Sequence, residues 1–258
     1  MTDYASYETA GDVAVVTLND GKANAFGPNM IEAVNSLLDR AQAENAKAVV
    51  LMGRPGLFSG GFDLKVIRGD DPEAARAMSL GGARLMMRLY GFPLPLVIAA
   101  TGHAVALGAF CLLTGDYRVG TAGDFSIGLN ETAIGMSLPP FGLMLANERL
   151  SKRHLSRAAI AATMFNPEEA RDAGFLDEVV PADLLRDAAL DKARSFTQLD
   201  GAAYASTPTG RRGVAIAAAT AGWAAGGGGG PGARPPPPPP PRGGSDRKGL
   251  GAGSVRPR

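Results

Sequence analysis

The sequence predicts an α/β fold, and three observations predict it. Short apolar runs rich in β-branched residues alternate with longer stretches whose apolar residues recur at helical spacing. Gly, Pro and Asn punctuate the joins. The 258 residues suffice for one large domain or two small ones around a real core.

In chain order, Val13-Ala14-Val15-Val16-Thr17-Leu18 reads as a strand. After Gly27-Pro28, the residues Ile31, Val34, Leu38 and Ala41 mark a helix, with Pro28 suited to its first turn. Ala48-Val49-Val50-Leu51-Met52 is a second buried strand. A glycine-punctuated loop runs from Gly53 to Gly61, and a helical stretch covers Pro72–Leu89. Leu96-Val97-Ile98-Ala99-Ala100 is a third strand, passing into an apolar helix over Leu107–Thr114. The second half is more helical, with successive helices expected over Phe141–Leu150 and Leu155–Thr163. Asn166-Pro167-Glu168-Glu169 opens another, with Asn as N-cap, Pro at the first position and Glu at the third in capping-box order. Phe175–Pro181 is a short strand stopped by proline, and Ala182–Gln198 is an amphipathic helix. Val214–Ala225 has poor helix potential, because Gly222 lies inside it and Gly210 and Gly213 just before it.

Composition excludes several classes. Lys and Arg total 26 against 25 Asp and Glu, too balanced for a dedicated nucleic-acid or membrane-surface binder. One cysteine and two histidines, His103 and His154, supply neither a disulfide framework nor an ordinary zinc or His-rich metal centre. The first ten residues lack a basic-then-apolar pattern, so a cytoplasmic protein is expected. Leu94–Thr114 is free of formal charge but is interrupted by Pro95, Gly102, His103 and Gly108. A strand, a turn and a buried helix explain it better than a membrane span.

The averages conceal a break. Residues 226–258 hold 11 of the 35 glycines and 9 of the 19 prolines, with a charge of +5, which leaves −4 for the rest. Such a stretch cannot offset its ordering entropy, and is expected to be disordered, with polyproline II across Pro235–Pro241. A proline ligand for an SH3-type partner is one functional reading. The Gly, Pro, Ala and Arg bias also fits GC-rich coding DNA read out of frame from near Thr207–Gly210. The expected organisation is therefore a core and following helices over 1–198, a degraded helical segment over 199–225, and the tail over 226–258.

Three segments carry candidate chemistry. In Phe58-Ser59-Gly60-Gly61-Phe62-Asp63-Leu64, paired glycines after a strand allow a sharp turn, either as a turn alone or to aim N–H groups, that of Phe62 above all, at an anionic oxygen. In Thr101–Phe110 a strand end passes into a buried helix, whose first N–H groups lack intrahelical partners, so Leu107 is a second candidate donor. His103, without a partner nucleophile or second histidine, is read as structural. In Ile127–Gly135, Glu131 is an isolated carboxylate among apolar residues: a general base if buried, a cap or a surface group if not.

Together with Lys22-Ala23-Asn24-Ala25-Phe26, Arg54–Leu64 and Gly115-Asp116-Tyr117-Arg118-Val119, these segments resemble the crotonase superfamily of enoyl-CoA hydratases and isomerases over about residues 5–200. The resemblance implies a spiral of ββα repeats with a C-terminal helical region, assembled as homotrimers or dimers of trimers. It implies an acyl-CoA thioester substrate, with coenzyme A as part of that substrate and no separate cofactor. By resemblance, the Phe62 and Leu107 N–H groups form the oxyanion hole. Ala23, Ala25, Gly61, Asp63, Leu64, Lys65 and Gly108 fall at CoA- or substrate-binding positions, with Asp63 a loop-fixing acceptor rather than a catalytic acid. The family's hydratases use two glutamates. Glu131 matches the second, while an ungapped count from Gly102 puts Phe110 at the first, in the acyl pocket. A lone glutamate within Ile-Gly-Leu-Asn-Glu-Thr looks like the Δ3,Δ2-enoyl-CoA isomerase branch.

Overall fold

The computed structural model describes residues 4–224. The disorder and polyproline II expected over 226–258 lie outside the described residues.

The chain opens with strands β1 (Ala5–Ala10) and β2 (Val13–Leu18), paired antiparallel, followed by helix α1 (Pro28–Ala43). Next come β3 (Ala48–Met52), β4 (Gly56–Ser59), a short α2 (Leu64–Ile67) and α3 (Pro72–Tyr90). The pattern recurs as β5 (Leu96–Ala100), β6 (Gly102–Val105) and α4 (Leu107–Thr114), and begins again as β7 (Tyr117–Thr121) and β8 (Ile127–Gly128). A 3₁₀ turn at Thr132–Ile134 leads to α5 (Pro140–Arg149), α6 (Leu155–Ala159), α7 (Pro167–Ala173), β9 (Glu178–Val180), α8 (Leu185–Phe196) and α9 (Gly201–Ala224). This is the expected α/β spiral of ββα repeats with helices at its C-terminal side.

Each repeat puts its first strand in a six-stranded sheet, ordered β1-β2-β3-β5-β7-β9, and its second in a three-stranded sheet, ordered β4-β6-β8. Apart from the β1–β2 hairpin, neighbours pair in parallel. One residue, Thr101, separates β5 from β6, so the chain must turn sharply from one sheet into the other. Gly102 makes that corner at φ +156; a Cβ there would lie 2.1 Å from the Gly56 carbonyl carbon, so only glycine lets β6 run beside β4.

The large sheet is buried on both faces, which is why its strands read as continuous apolar runs. Alternation sends Val13, Val15, Ala48, Val50, Val97, Ala99 and Val119 to one face, where Leu185, Ala189, Leu190 and Ala193 of α8 cover them. Ala14, Val16, Leu18, Val49, Leu51, Leu96 and Ile98 face the other way, toward Val34 and Leu38 of α1 and Leu85 and Met86 of α3. Each fully buried Val, Leu or Ile side chain contributes about 1.5–3 kcal/mol before ordering entropy is set against it.

Several elements differ from the sequence reading. The Gly53–Gly61 loop contains β4, and Gly102–Val105, expected as the run into a helix, is a strand. β1, β7 and α2 are additional. The helix expected over Leu155–Thr163 stops at Ala159, because the chain swings to φ 50 at Ala162 and Phe165 pairs with Ile127. The Ala182–Gln198 helix starts at Leu185. The C-terminal helix is continuous from Gly201 to Ala224 rather than a weak segment over 214–225. Tertiary contacts override its poor propensity: Arg212 donates to the Tyr90 carbonyl oxygen at 2.7 Å and pairs with Asp116 at 2.7 Å, while Ala219 is buried in the core. Among the described residues no helix is long and apolar enough to cross a membrane; Leu94–Thr114 forms β5, β6 and α4.

Candidate active site

The site grows from the loop between β2 and α1. The Asp20 carboxylate accepts from the Lys22, Asn24 and Ala25 N–H groups, fixing this loop. Asn24, fully buried at φ 47, donates through Nδ2 to the Leu18 and Phe58 carbonyl oxygens at 3.0 and 3.1 Å. The Ser59 hydroxyl donates to the Asn24 carbonyl oxygen and accepts from the Gly61 N–H. The Gly60 N–H donates to the Ala23 carbonyl oxygen, and the Phe26 N–H to that of Gly61. The Gly60–Gly61–Phe62 turn is therefore held from several sides.

Facing it is the start of α4. Ala106 adopts φ 53, ψ −121, a conformation that costs a non-glycine residue about 1–3 kcal/mol. It is over-determined by its neighbours: its N–H donates to the Gly128 carbonyl oxygen of β8, and its own carbonyl accepts from Phe110 N–H. Gly61, at φ +97, packs against this corner; a Cβ there would lie 2.9 Å from the Ala106 Cβ. Gly108 lets α4 close on β4, since a Cβ there would fall 2.5 Å from the Ser59 carbonyl oxygen. The Phe62 and Leu107 N–H groups find no acceptor among the described residues. Leu107 is the first residue of α4, where the helix dipole adds positive character.

Both residues line a cavity of about 220 Å³, together with Phe110, Phe141, Pro139, Pro140, Ile134, Met136, Leu80 and Ala83. Two glycines shape it. A Cβ on Gly82 would strike the Phe62 ring at 2.5 Å, and one on Gly142 the Phe110 ring at 2.5 Å. Phe110 is buried and meets Phe141 edge to face, with centroids 5.6 Å apart.

Glu131 follows β8 and enters the 3₁₀ turn, where its carbonyl oxygen accepts from the Ile134 and Met136 N–H groups. Its side chain lines the same cavity, is only 6% exposed, and leaves Oε2 without a partner among the described residues. Burial pushes its carboxyl up to about 7; its own backbone N–H opposes the rise. A carboxylate in that range takes and returns protons near neutral pH.

The structure thus brings Phe62, Leu107, Phe110, Glu131 and Leu64 to one cavity. Gly61 and Gly108 stand behind its wall as spacers. Asp63 caps α2, its carboxylate accepting from the Lys65 N–H at 2.9 Å. Ala23, Ala25 and Lys65 lie outside the cavity, Ala23 and Lys65 at the exposed surface. His103 is exposed on β6, where its Nδ1 accepts from the Ser126 N–H and its ring meets Phe125 edge to face. Sequence reasoning missed the α3 wall of Arg76, Ser79, Leu80 and Ala83, whose i, i+3, i+4, i+7 spacing was the available signal. It also gave no role to Asn130, whose Oδ1 is buried without a partner beside Glu131. Among the described residues no group of three or more His, Cys, Asp or Glu could hold a metal ion.

Two free backbone N–H groups and a buried carboxylate thus share one cavity on a ββα spiral. A family model described as enoyl-CoA hydratase/isomerase matches residues 8–207, and the chain belongs to that family. Among curated relatives, the mitochondrial enoyl-CoA delta isomerase 1 of Rattus norvegicus is 32% identical over 191 residues, 73% of this chain. The match spans about 65% of that relative's length. Among solved structures, an enoyl-CoA hydratase/isomerase family protein from Pseudomonas syringae is 44% identical, with a TM-score of 0.82 over 85% of this chain and 94% of that one. A Mycobacterium tuberculosis protein is 39% identical, with a TM-score of 0.83 over 87% of this chain and 96% of its own. It is called a probable enoyl-CoA hydratase in one solved structure and an enoyl-CoA isomerase in another.

Proposed function

We propose that this chain isomerises 3-enoyl-CoA to 2-enoyl-CoA in fatty-acid metabolism, with Glu131 as a single proton carrier. The observation that carries the reading is that Glu131 is the only carboxylate lining the cavity among the described residues; by the ungapped count from Gly102, Phe110, which lines the same cavity, falls at the position of a hydratase's other glutamate. Hydration needs a water held and deprotonated beside C2=C3, which a phenyl ring cannot do. Isomerisation needs one base.

In this reading, ionised Glu131 removes the C2 proton, and the C–H electron pair delocalises into the thioester oxygen as a dienolate. The Phe62 and Leu107 N–H groups stabilise that oxygen, each by about 3 kcal/mol. Protonated Glu131 returns the proton at C4, and the double bond settles between C2 and C3. Phe110 and Phe141 keep water from the intermediate. Coenzyme A enters as part of the substrate, and no other cofactor takes part. By the same reading the protein works in the cytoplasm, as a homotrimer or a dimer of trimers.

The hydratase reading uses the same cavity and shares its name with relatives, so product identity decides. Purified protein incubated separately with 3-enoyl-CoA and 2-enoyl-CoA is expected to yield 2-enoyl-CoA from the first and no 3-hydroxyacyl-CoA from the second. Efficient water addition to crotonyl-CoA makes it a hydratase. Thioester binding without turnover makes it a non-catalytic CoA-binding homologue.

A further inference from the structure

The cavity lining carries positive charge that the proton transfer does not use. Arg68, just after α2, and Arg76, on α3, both line the cavity, and neither guanidinium has a partner among the described residues. The nearby acids form no ion pair with them. Asp71 is occupied in capping α3 through the Glu73 and Ala74 N–H groups, and neither Asp70 nor Glu73 pairs with an arginine of the cavity.

Helix α3 sets the distance to the reaction centre. Gly82 packs against the side chains of the two donor residues, since a Cβ there would lie 2.7 Å from Phe62 Cζ and 3.1 Å from Leu107 Cδ2. Arg76 lies six residues nearer the helix start, about 9 Å of rise away, and its side chain leans further in that direction. An acyl chain of roughly six to eight carbons spans that interval. The cavity volume of about 220 Å³ also suits a short chain.

We propose that Arg68 and Arg76 receive a carboxylate at the far end of the acyl group, so that the preferred substrate is the CoA thioester of a short enoyl dicarboxylic acid. The proposal rests on the acyl-CoA reading above and deepens it. The phosphates of coenzyme A offer the same anionic oxygens. An extended pantetheine arm, with its two amide units, holds them roughly 15 Å or more from the thioester, and the binding test separates the two sources.

The test is calorimetric binding of adipoyl-CoA and hexanoyl-CoA to the full chain. Both are saturated, so the result does not depend on turnover. Adipoyl-CoA is expected to bind at least tenfold more tightly, and Arg68→Gln and Arg76→Gln each to reduce that preference several-fold. Equal affinities in the wild type overturn the proposal. So do variants that weaken both thioesters by the same factor, which assigns the arginines to the coenzyme A phosphates. If neither thioester binds, the acyl-CoA reading falls and this proposal with it.

Discussion

Gly61 and Ala106 brace each other at the wall of the cavity: a methyl group added to Gly61 would come within 2.9 Å of the Ala106 Cβ and 3.0 Å of the Val105 carbonyl oxygen. Each residue directly precedes one of the two free N–H donors. The left-handed backbone at Gly61 and the strained turn at Ala106 are thus parts of one packed arrangement that precedes both donors.

Gly61→Ala therefore strikes the hole without touching Glu131. The substitution is strained at φ +97 and pushes the Ala106 corner away. Turnover is expected to fall by about a hundredfold, the effect of losing one donor. Steady-state kinetics, with circular dichroism to establish folding, check this; unchanged kcat removes the hole from the mechanism.

Glu131→Gln keeps the shape of the side chain but cannot accept the C2 proton. Isomerase activity is expected to vanish while thioester binding stays largely intact. A variant retaining most of the wild-type turnover rules out Glu131 as the base.

Glu131 also ties activity and stability to pH in opposite directions. The base must be ionised, so kcat/KM is expected to rise with pH through about 7. Burial favours the neutral form, whose advantage is fully present below the ordinary value of 4.5 and is lost as pH rises through about 7. The loss is on the order of 3 kcal/mol at most. Denaturant melts between pH 4.5 and 8 should show this decline in the wild type and a flatter profile in Glu131→Gln.

Phe110→Glu restores a second carboxylate at the place where hydratases carry one. With Glu131 it can share a water, and mutual repulsion raises one of the two pKa values. Detectable hydration of 2-enoyl-CoA and slower isomerisation are expected. Stability should fall by about 2–4 kcal/mol, from lost contact with Phe141 and a charge moved inside. Wild-type protein that already hydrates crotonyl-CoA well shows that Phe110 does not mark an isomerase.

Arg212→Ala tests how α9 is held. The Asp116 carboxylate accepts from Arg212, from the Leu96 N–H at 2.8 Å and from the Tyr204 hydroxyl. Removing the guanidinium leaves this carboxylate under-compensated at a site where the paired side chains are only 9% and 14% exposed. A loss of about 3 kcal/mol is expected, together with faster amide exchange in α9. An unchanged urea midpoint contradicts the clasp.

The large-sheet strands β2, β3 and β5 were legible because burial on both faces leaves unbroken apolar runs. The strands of the small sheet were not. β4 has four residues and β8 two, too few to display a period, and Gly102 looks like a breaker until Gly56 is seen against it. β1 buries only Ala5 and exists through its pairing with β2. Within the site, Glu131 and Phe110 could be found because motif and spacing carry them. The α3 wall has a helical spacing at Arg76, Ser79, Leu80 and Ala83, but that helix has several apolar faces and spacing alone does not say which one turns to the cavity. The Asp116–Arg212 pair joins positions 96 residues apart, and Arg212 falls where glycines made any helix look weak.

The two donor groups come from successive turns of the spiral, each placed just beyond a strand of the small sheet. β4 and β6 are hydrogen-bonded neighbours, about 4.8 Å apart, and the two donors follow their ends. A ladder cannot be stretched by trading side chains. The part of the wall that α2 and α3 contribute is made of side chains, those of Leu64, Ile67, Arg76, Ser79, Leu80 and Ala83. In the proposed reading, substitutions at Ser79 or Leu80 of α3 change the wall of the cavity while the β4–β6 pairing behind the two donors is untouched.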